Sequence, residues 1–157
     1  VNLSGLSVLD VGCKDFTTTK PLLEQHGLIW HGTDIEKQNP DSFITQCDMS
    51  KMPFSDNSFD MIFVCHSFEH CERPIDALRE FKRITKNWIF MSTPNPCEKQ
   101  TLNGDPDHIF CLHPIQMKKL FQYTKIKEEK IYLQTENIKL EQDYNVICIG
   151  GKKPEND

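Results

Sequence analysis

Apolar residues in this chain fall into short continuous runs separated by stretches with helical spacing. Val8, Leu9 and Val11 form the first run, rich in β-branched side chains, and predict a buried strand. The run breaks at Gly12, where the backbone can turn without a Cβ clash. Thr17 to Pro21 read as a helix start, Leu22 and Leu23 continue it, and His26-Gly27 is its stop. Leu28 to Ile35 predicts a second strand and Phe43 to Gln46 a short third one, with the turn signal Asn39-Pro40-Asp41 between them. A loop rich in turn formers leads to Met61–Cys65, whose unbroken apolar character predicts a central parallel strand. Pro74 opens a helix with Ile75, Leu78, Phe81 and Ile84 on one face. Trp88 to Met91 is the next strand, closed by Ser92 to Pro96. After a polar loop, Cys97 to Asp107, Pro114 begins a helix to about Gln122 with Met117, Leu120 and Phe121 on one face. Lys125–Thr135 alternates like an edge strand and Tyr144–Gly150 is apolar and β-rich. Glu136–Asp143 reads as their hairpin connection and Lys152–Asp157 as a frayed tail.

About seven strands, with helices between the first five, predict an α/β fold: a doubly wound, mostly parallel seven-stranded sheet. The last two strands have no long helix between them, so one is expected to be antiparallel. The helix after the third strand is expected to be very short. A length of 157 residues predicts one domain spanning 1–157. Such sheets bind ligands at the carboxyl ends of their strands, where strand order reverses. Asp34 ends the second strand 22 residues beyond Gly12, the spacing at which an acid meets a ribose in nucleoside-binding folds. The competing reading is that Asp34 only caps the next turn.

Charge and cysteines narrow the function classes. The formal net charge is −5 and no long basic run exists, which disfavours nucleic acid as a partner. No apolar stretch reaches membrane-spanning length and no signal peptide precedes the first strand, so the expected location is cytoplasmic. The seven cysteines form no CxxC pair, and reduced thiols are expected. Cys65, His66, His70 and Cys71, and again His108, Cys111 and His113, lie close in sequence, but without standard ligand spacing; no metal is expected. A nicotinamide oxidoreductase would need Gly-x-Gly-x-x-Gly after the first strand, which this chain lacks.

Val8-Leu9-Asp10-Val11-Gly12-Cys13, Gly32-Thr33-Asp34, Cys47-Asp48-Met49, the run Met52-Pro53-Phe54-Ser55-Asp56-Asn57-Ser58-Phe59-Asp60, and Glu69-His70 together resemble class I S-adenosylmethionine-dependent methyltransferases, most closely the type 11 small-molecule group. The resemblance covers roughly residues 7 to 96. It implies a Rossmann-like methyltransferase fold, here a short version without N-terminal cap helices, and S-adenosyl-L-methionine as cofactor. It implies that the turn Asp10, Gly12, Cys13 and Lys14 holds the methionine part, that Asp34 takes the ribose hydroxyls, and that Ile35 packs on the adenine. Asp48 would meet the adenine amino group, Met49 its ring or backbone edge, and His66 the methionine carboxylate or sulfonium end. A carboxylate suits two hydroxyl donors, and apolar residues suit a flat base.

The family's pattern Asp-x-Gly-x-Gly-x-Gly is broken, because Lys14 and Phe16 stand where glycines belong. Two readings follow: Lys14 reaches the cofactor carboxylate along an altered loop path, or the turn is degraded and the domain is a non-catalytic binding or partner module. Methyl transfer is an in-line displacement with a neutral leaving group, so the protein's tasks are positioning and management of the acceptor's proton. His70, after the fourth strand, and His108, in a loop that should return over the pocket, are the candidate catalytic residues. The acceptor is expected to be a small molecule or a glycan or lipid group, and the sequence does not choose among them.

Overall fold

The computed structural model describes residues 2–14, 16–36, 43–94, 106–133 and 145–152. Seven strands form one sheet: β1 (Ser7–Val11), β2 (Ile29–Asp34), β3 (Ile44–Gln46), β4 (Phe59–Cys65), β5 (Thr85–Pro94), β6 (Lys127–Leu133) and β7 (Asn145–Gly151). The helices are α1 (Thr19–Gln25), α2 (Pro74–Ile84) and α3 (Pro114–Thr124), with a short 3₁₀ turn at Phe68–His70. Strand order is β3-β2-β1-β4-β5-β7-β6. The first five strands run parallel, and β7 lies antiparallel between β5 and β6. The expected doubly wound α/β sheet with one antiparallel member of the last pair is therefore present. The order reverses between β1 and β4, and this fixes where a crevice opens.

Alternation along β1 sorts its side chains onto two faces. Leu9 and Val11 join Ile62, Val64, Leu78, Phe81, Ile89, Met91, Met117 and Phe121 in the larger core beneath α2 and α3. Val8 joins Cys13, Leu23, Leu28 and Trp30 in a smaller core beneath α1. Ala77, Leu78, Phe81 and Ile84 bury the inner face of α2, whereas Ile75 is only partly covered. α3 starts on a capping box: the His113 side chain accepts from the Ile115 N–H, and the Gln116 side chain accepts from the His113 N–H at 2.9 Å. No helix among the described residues is long and apolar enough to cross a membrane. Cys13, Cys47, Cys65, Cys71, Cys111 and Cys148 are free thiols, while Cys97 lies outside the described residues.

Three expectations need correction or fall away. Between β3 and β4 there is no helix at all; residues 47–58 form turns and extended backbone. Arg83 of α2 explains how that loop is held. Its guanidinium donates to the carbonyls of Phe54 (2.7 Å) and Met52 (3.1 Å) and pairs with Asp56 and Glu80. Phe54 and Phe59 pack edge to face at 5.2 Å. The Pro-Phe-x-Asp-x-Ser-Phe-Asp run is thus a clasp that seats the loop on α2. Second, β5 begins three residues earlier than Trp88, directly from the end of α2. There the buried Thr85 hydroxyl bonds the Trp88 carbonyl at 2.9 Å, and the register with β4 shifts between Phe59 and Met61. Third, the expected hairpin connection at 136–143, the tail beyond Lys152 and most of the polar loop from Cys97 lie outside the described residues.

Asp60 closes the amino end of the sheet. Its carboxylate accepts from the Ser7 N–H (2.9 Å) and hydroxyl (2.7 Å) and pairs with Lys86 at 3.1 Å. The Ser7 hydroxyl above all holds the Asp60 carboxyl below its ordinary value of 3.8. A folded-state value below the unfolded one means that the unfolded chain takes up the proton first. The stabilisation is complete above the ordinary value and is lost as pH falls through the lowered one. Asp60→Ala is therefore expected to cost about 1–2 kcal/mol at neutral pH, with the gap from wild type closing as pH falls below the ordinary carboxyl value. Denaturant titrations at several pH values check this, and a gap that stays constant with pH would contradict it.

Candidate active site at the carboxyl ends of β1 to β4

A cavity of about 540 Å³ opens at the reversal point. Its wall comes from four consecutive strand ends. β1 supplies Val11, Gly12 and Lys14; β2 supplies Thr33, Asp34, Ile35 and Glu36; Cys47, Asp48 and Met49 follow β3; His66, Ser67 and His70 follow β4. Cys71, Glu72 and Arg73 complete it. Parallel strands deliver their following loops to one edge, so residues far apart in sequence converge there.

The turn after β1 is tightly constrained. Gly12 has φ +73°, and its N–H donates to the Thr33 carbonyl at 2.8 Å. A Cβ at Gly12 would lie 2.3 Å from the Ser67 Cβ. The Ser67 hydroxyl donates to the Val11 carbonyl at 2.7 Å, tying the ends of β1 and β4 together.

Lys14 and Phe16 adopt φ +47° and +52°, the left-handed conformation that glycine takes most easily. The loop therefore keeps a left-handed path at 12, 14 and 16 in spite of two side chains. The Phe16 ring packs 6.0 Å from Trp30, beneath the Lys20 ammonium, which stands 5.5 Å from Phe16 and 4.8 Å from Trp30. Phe16 belongs to the smaller core and is not part of the cavity wall. These geometries predict opposite outcomes for the two glycine substitutions. Lys14→Gly relieves backbone strain and is expected to raise stability by about 0.5–1 kcal/mol. Phe16→Gly gains the same relief but loses its ring contacts, and is expected to lower stability by about 1–2 kcal/mol. Thermal melts of the two variants test the pair, and a common sign for both would refute the argument.

Asp34 faces the cavity and organises its rim. Its Oδ2 accepts from the Lys14 N–H at 2.8 Å and its Oδ1 from the Glu36 N–H at 3.0 Å. Asp48 accepts from the Ser50 N–H (2.8 Å) and hydroxyl (2.7 Å), and pairs with Arg73 at 3.1 Å. The Ser50 N–H first, then its hydroxyl, hold the Asp48 carboxyl below its ordinary value. Ile35 is 68% exposed, an apolar surface at the cavity mouth free to meet a flat ligand.

The candidate residues divide cleanly. Gly12, Lys14, Asp34, Ile35, Asp48, Met49, His66 and His70 line the cavity. Asp10 and Cys13 do not. Asp10 is 1% exposed, and its carboxylate accepts from the Trp30 indole N–H at 3.0 Å and from the Thr19 hydroxyl. Burial raises its pKa, against the two donors. Strand alternation explains the difference: Asp10 points to the α1 face with Val8, where it binds α1 and β2 to β1. The Cys13 thiol sits against Gly32 inside the smaller core. His108 stands just outside the cavity wall, its ring 4.9 Å from that of His70.

Sequence reasoning missed Ser67 and Arg73 as parts of the wall, and it had Glu69 only beside His70 at the end of the fourth strand, without its burial or its second histidine neighbour. Glu69 is 1% exposed, with the His66 Nδ1 at 3.7 Å and the His108 Nε2 at 4.0 Å from its Oε1. The signal for Glu69 was its place one turn beyond the central strand, between two candidate histidines.

Comparisons with known proteins agree with this fold. A family model described as "Methyltransferase domain" matches residues 9–88. A search of curated proteins gives no match. Among solved structures, a SAM-dependent methyltransferase from Archaeoglobus fulgidus superposes with a TM-score of 0.76 at 20% identity, covering 95% of this chain and 87% of the other. One from Aquifex aeolicus gives 0.73 at 15% identity, covering 96% and 84%. Magnesium protoporphyrin IX methyltransferase from Synechocystis PCC 6803, solved with bound SAM, gives 0.66 at 14% identity, covering 95% and 71%. With its reversal-point cavity, its ordered strand ends and a family match over half its length, the chain belongs to the methyltransferase-domain family of S-adenosylmethionine-dependent enzymes.

Proposed function

We propose that the cavity binds S-adenosylmethionine with its ribose on Asp34 and its adenine between Ile35 and Met49, and that the methyl group is delivered to an acceptor entering beside His70 and His108. The observation that carries this reading is the convergence of Gly12, Asp34, Asp48 and His66 on one wall from four different strand ends. A carboxylate with two oxygens suits two vicinal hydroxyl donors, and it already accepts backbone N–H groups here. On this reading Asp48, a lining residue, takes the adenine amino edge. Gly12 and Lys14 line the part of the wall assigned to the methionine end, whose carboxylate the Lys14 side chain would meet.

S-adenosylmethionine supplies an electrophilic methyl on a sulfonium, whose departure leaves a neutral thioether. The protein's share is to align the acceptor and govern its proton. On this reading His70 and His108 carry that work. They belong to different segments but meet at ring distance beside the cavity. The left-handed path kept at Lys14 and Phe16 favours an intact cofactor turn over a degraded, non-catalytic one. The acceptor class suited to this end is a small molecule, or a glycan or lipid group, bearing a hydroxyl or amine.

Calorimetric titration with S-adenosylhomocysteine tests the reading: stoichiometric binding is expected. Absence of binding in wild type, together with binding in a Lys14→Gly/Phe16→Gly double variant, would favour a non-catalytic domain instead.

A further inference from the structure

We infer that Glu69, His70 and His108 bind one divalent transition-metal ion beside the cavity, an inference that rests on the methyl-transfer reading and specifies how its acceptor end works. One ligand atom from each of the three residues lies within 4.8 Å of the others. Around a bound ion such atoms stand about 3 Å apart, so small side-chain rotations complete the set. Two imidazoles with one carboxylate suit Zn²⁺, Mn²⁺ or Fe²⁺ better than Ca²⁺ or Mg²⁺, which favour all-oxygen shells.

Three further observations point the same way. His70 Nδ1 lies 3.0 Å from the Asp107 carbonyl, which can only accept. Nδ1 therefore carries the proton, and the other ring nitrogen is left with its lone pair, the tautomer of a metal-ligating histidine held by a backbone acceptor. The two ligand-bearing segments are stitched together: the Ile109 N–H donates to the Glu69 carbonyl at 3.0 Å, and the Phe68 and Phe110 rings pack edge to face at 5.4 Å. Burial is graded as a site with an entrance requires. Glu69 is 1% exposed, the His108 side chain 14%, and His70 is open to solvent. A carboxylate so deeply buried is stabilised by positive charge, which a divalent ion supplies together with direct ligation.

Three protein ligands leave positions for the acceptor. A hydroxyl bound there loses its proton to solvent more readily, as the ion lowers its pKa. The oxygen lone pair then forms the new O–CH₃ bond as the S–CH₃ bond breaks, and the bonding pair stays on the sulfur of the neutral thioether. In this arrangement His70 and His108 activate the acceptor through the ion rather than by taking its proton.

The test uses purified protein stripped with a chelator and titrated with Zn²⁺ and, separately, Co²⁺. Binding of one equivalent at micromolar affinity or better is expected, with visible Co²⁺ absorption. His108→Ala and Glu69→Gln should each weaken binding at least tenfold. His70→Ala, at an exposed position, should do the same without threatening the fold, while His26→Gln should change nothing. No bound equivalent, or equal affinity in wild type and His70→Ala, overturns the proposal; the latter would assign the metal to thiols elsewhere. S-adenosylhomocysteine binding to the stripped protein is read in parallel, so that failure of the metal site and failure of the cofactor site are told apart.

Discussion

Gly12→Ala is expected to lower the free energy of unfolding by about 2–4 kcal/mol, through two separable costs. The first is conformational. Gly12 sits at φ +73°, where an L side chain crowds its own carbonyl. The second is steric, because the new Cβ would lie 2.3 Å from the Ser67 Cβ and 2.7 Å from its hydroxyl oxygen. Ser67 cannot simply rotate away, since its hydroxyl is buried and bonded to the Val11 carbonyl at 2.7 Å. Either the bond breaks or β1 and β4 separate at the mouth of the cavity. A double-mutant cycle divides the costs. Ser67→Gly alone loses the tie between the strands. In the Gly12→Ala background it also removes the clash, so the double variant should be more stable than the two single losses predict by about 1 kcal/mol or more. Guanidinium unfolding of all four proteins measures this. An unchanged midpoint in Gly12→Ala would mean that the turn relaxes freely and does not define the cavity.

Asp34→Ala is expected to weaken binding of S-adenosylhomocysteine by about 1–3 kcal/mol, or roughly 5- to 150-fold. The carboxylate acts twice. Its oxygens accept from the Lys14 and Glu36 N–H groups and so hold the two rims of the cavity in register. In the proposed complex the same oxygens take the ribose hydroxyls, which alanine would leave unpaired. Asp34→Asn separates the roles. It keeps one acceptor oxygen and loses the charge, so its loss should fall between wild type and Asp34→Ala. Calorimetry on the three proteins checks the order, and wild-type affinity in Asp34→Ala would remove this residue from the site.

Both predictions concern positions that were legible along the chain, and it matters why. Gly12 and Asp34 end strands whose apolar runs are local properties, and a strand end followed by a turn is fixed by its own few residues. The same holds for β4, for α2 with its opening Pro74, and for α3, where His113 and Gln116 form a cap within four residues. The Pro53–Asp60 signature was legible as a pattern, but its physical meaning was not. It became clear only with Arg83, which reaches Phe54 and Asp56 from α2, 29 and 27 residues away.

The alternation of strands and helices, the turn after β1, the strand-end acids and the family can all be read along the chain, because each is written in neighbouring residues. Which side chains reach the cavity follows from how the strands pack and not from their order along the chain. Asp10 lies between Leu9 and Val11 in the turn's own motif, yet the pleat sends it to the opposite face, where Trp30 and Thr19 hold it. Lys14 and Phe16 looked like damage in one dimension. In three dimensions each takes a left-handed φ, and Phe16 finds a core of its own under Lys20. The meeting of Glu69 and His70 with His108, 38 residues further on, has no local signature at all. Residues so separated are brought together by the fold and tied by two hydrogen bonds, from the Ile109 N–H to the Glu69 carbonyl and from the His70 ring to the Asp107 carbonyl. Their proximity is a property of the folded sheet and of no stretch of the chain taken alone.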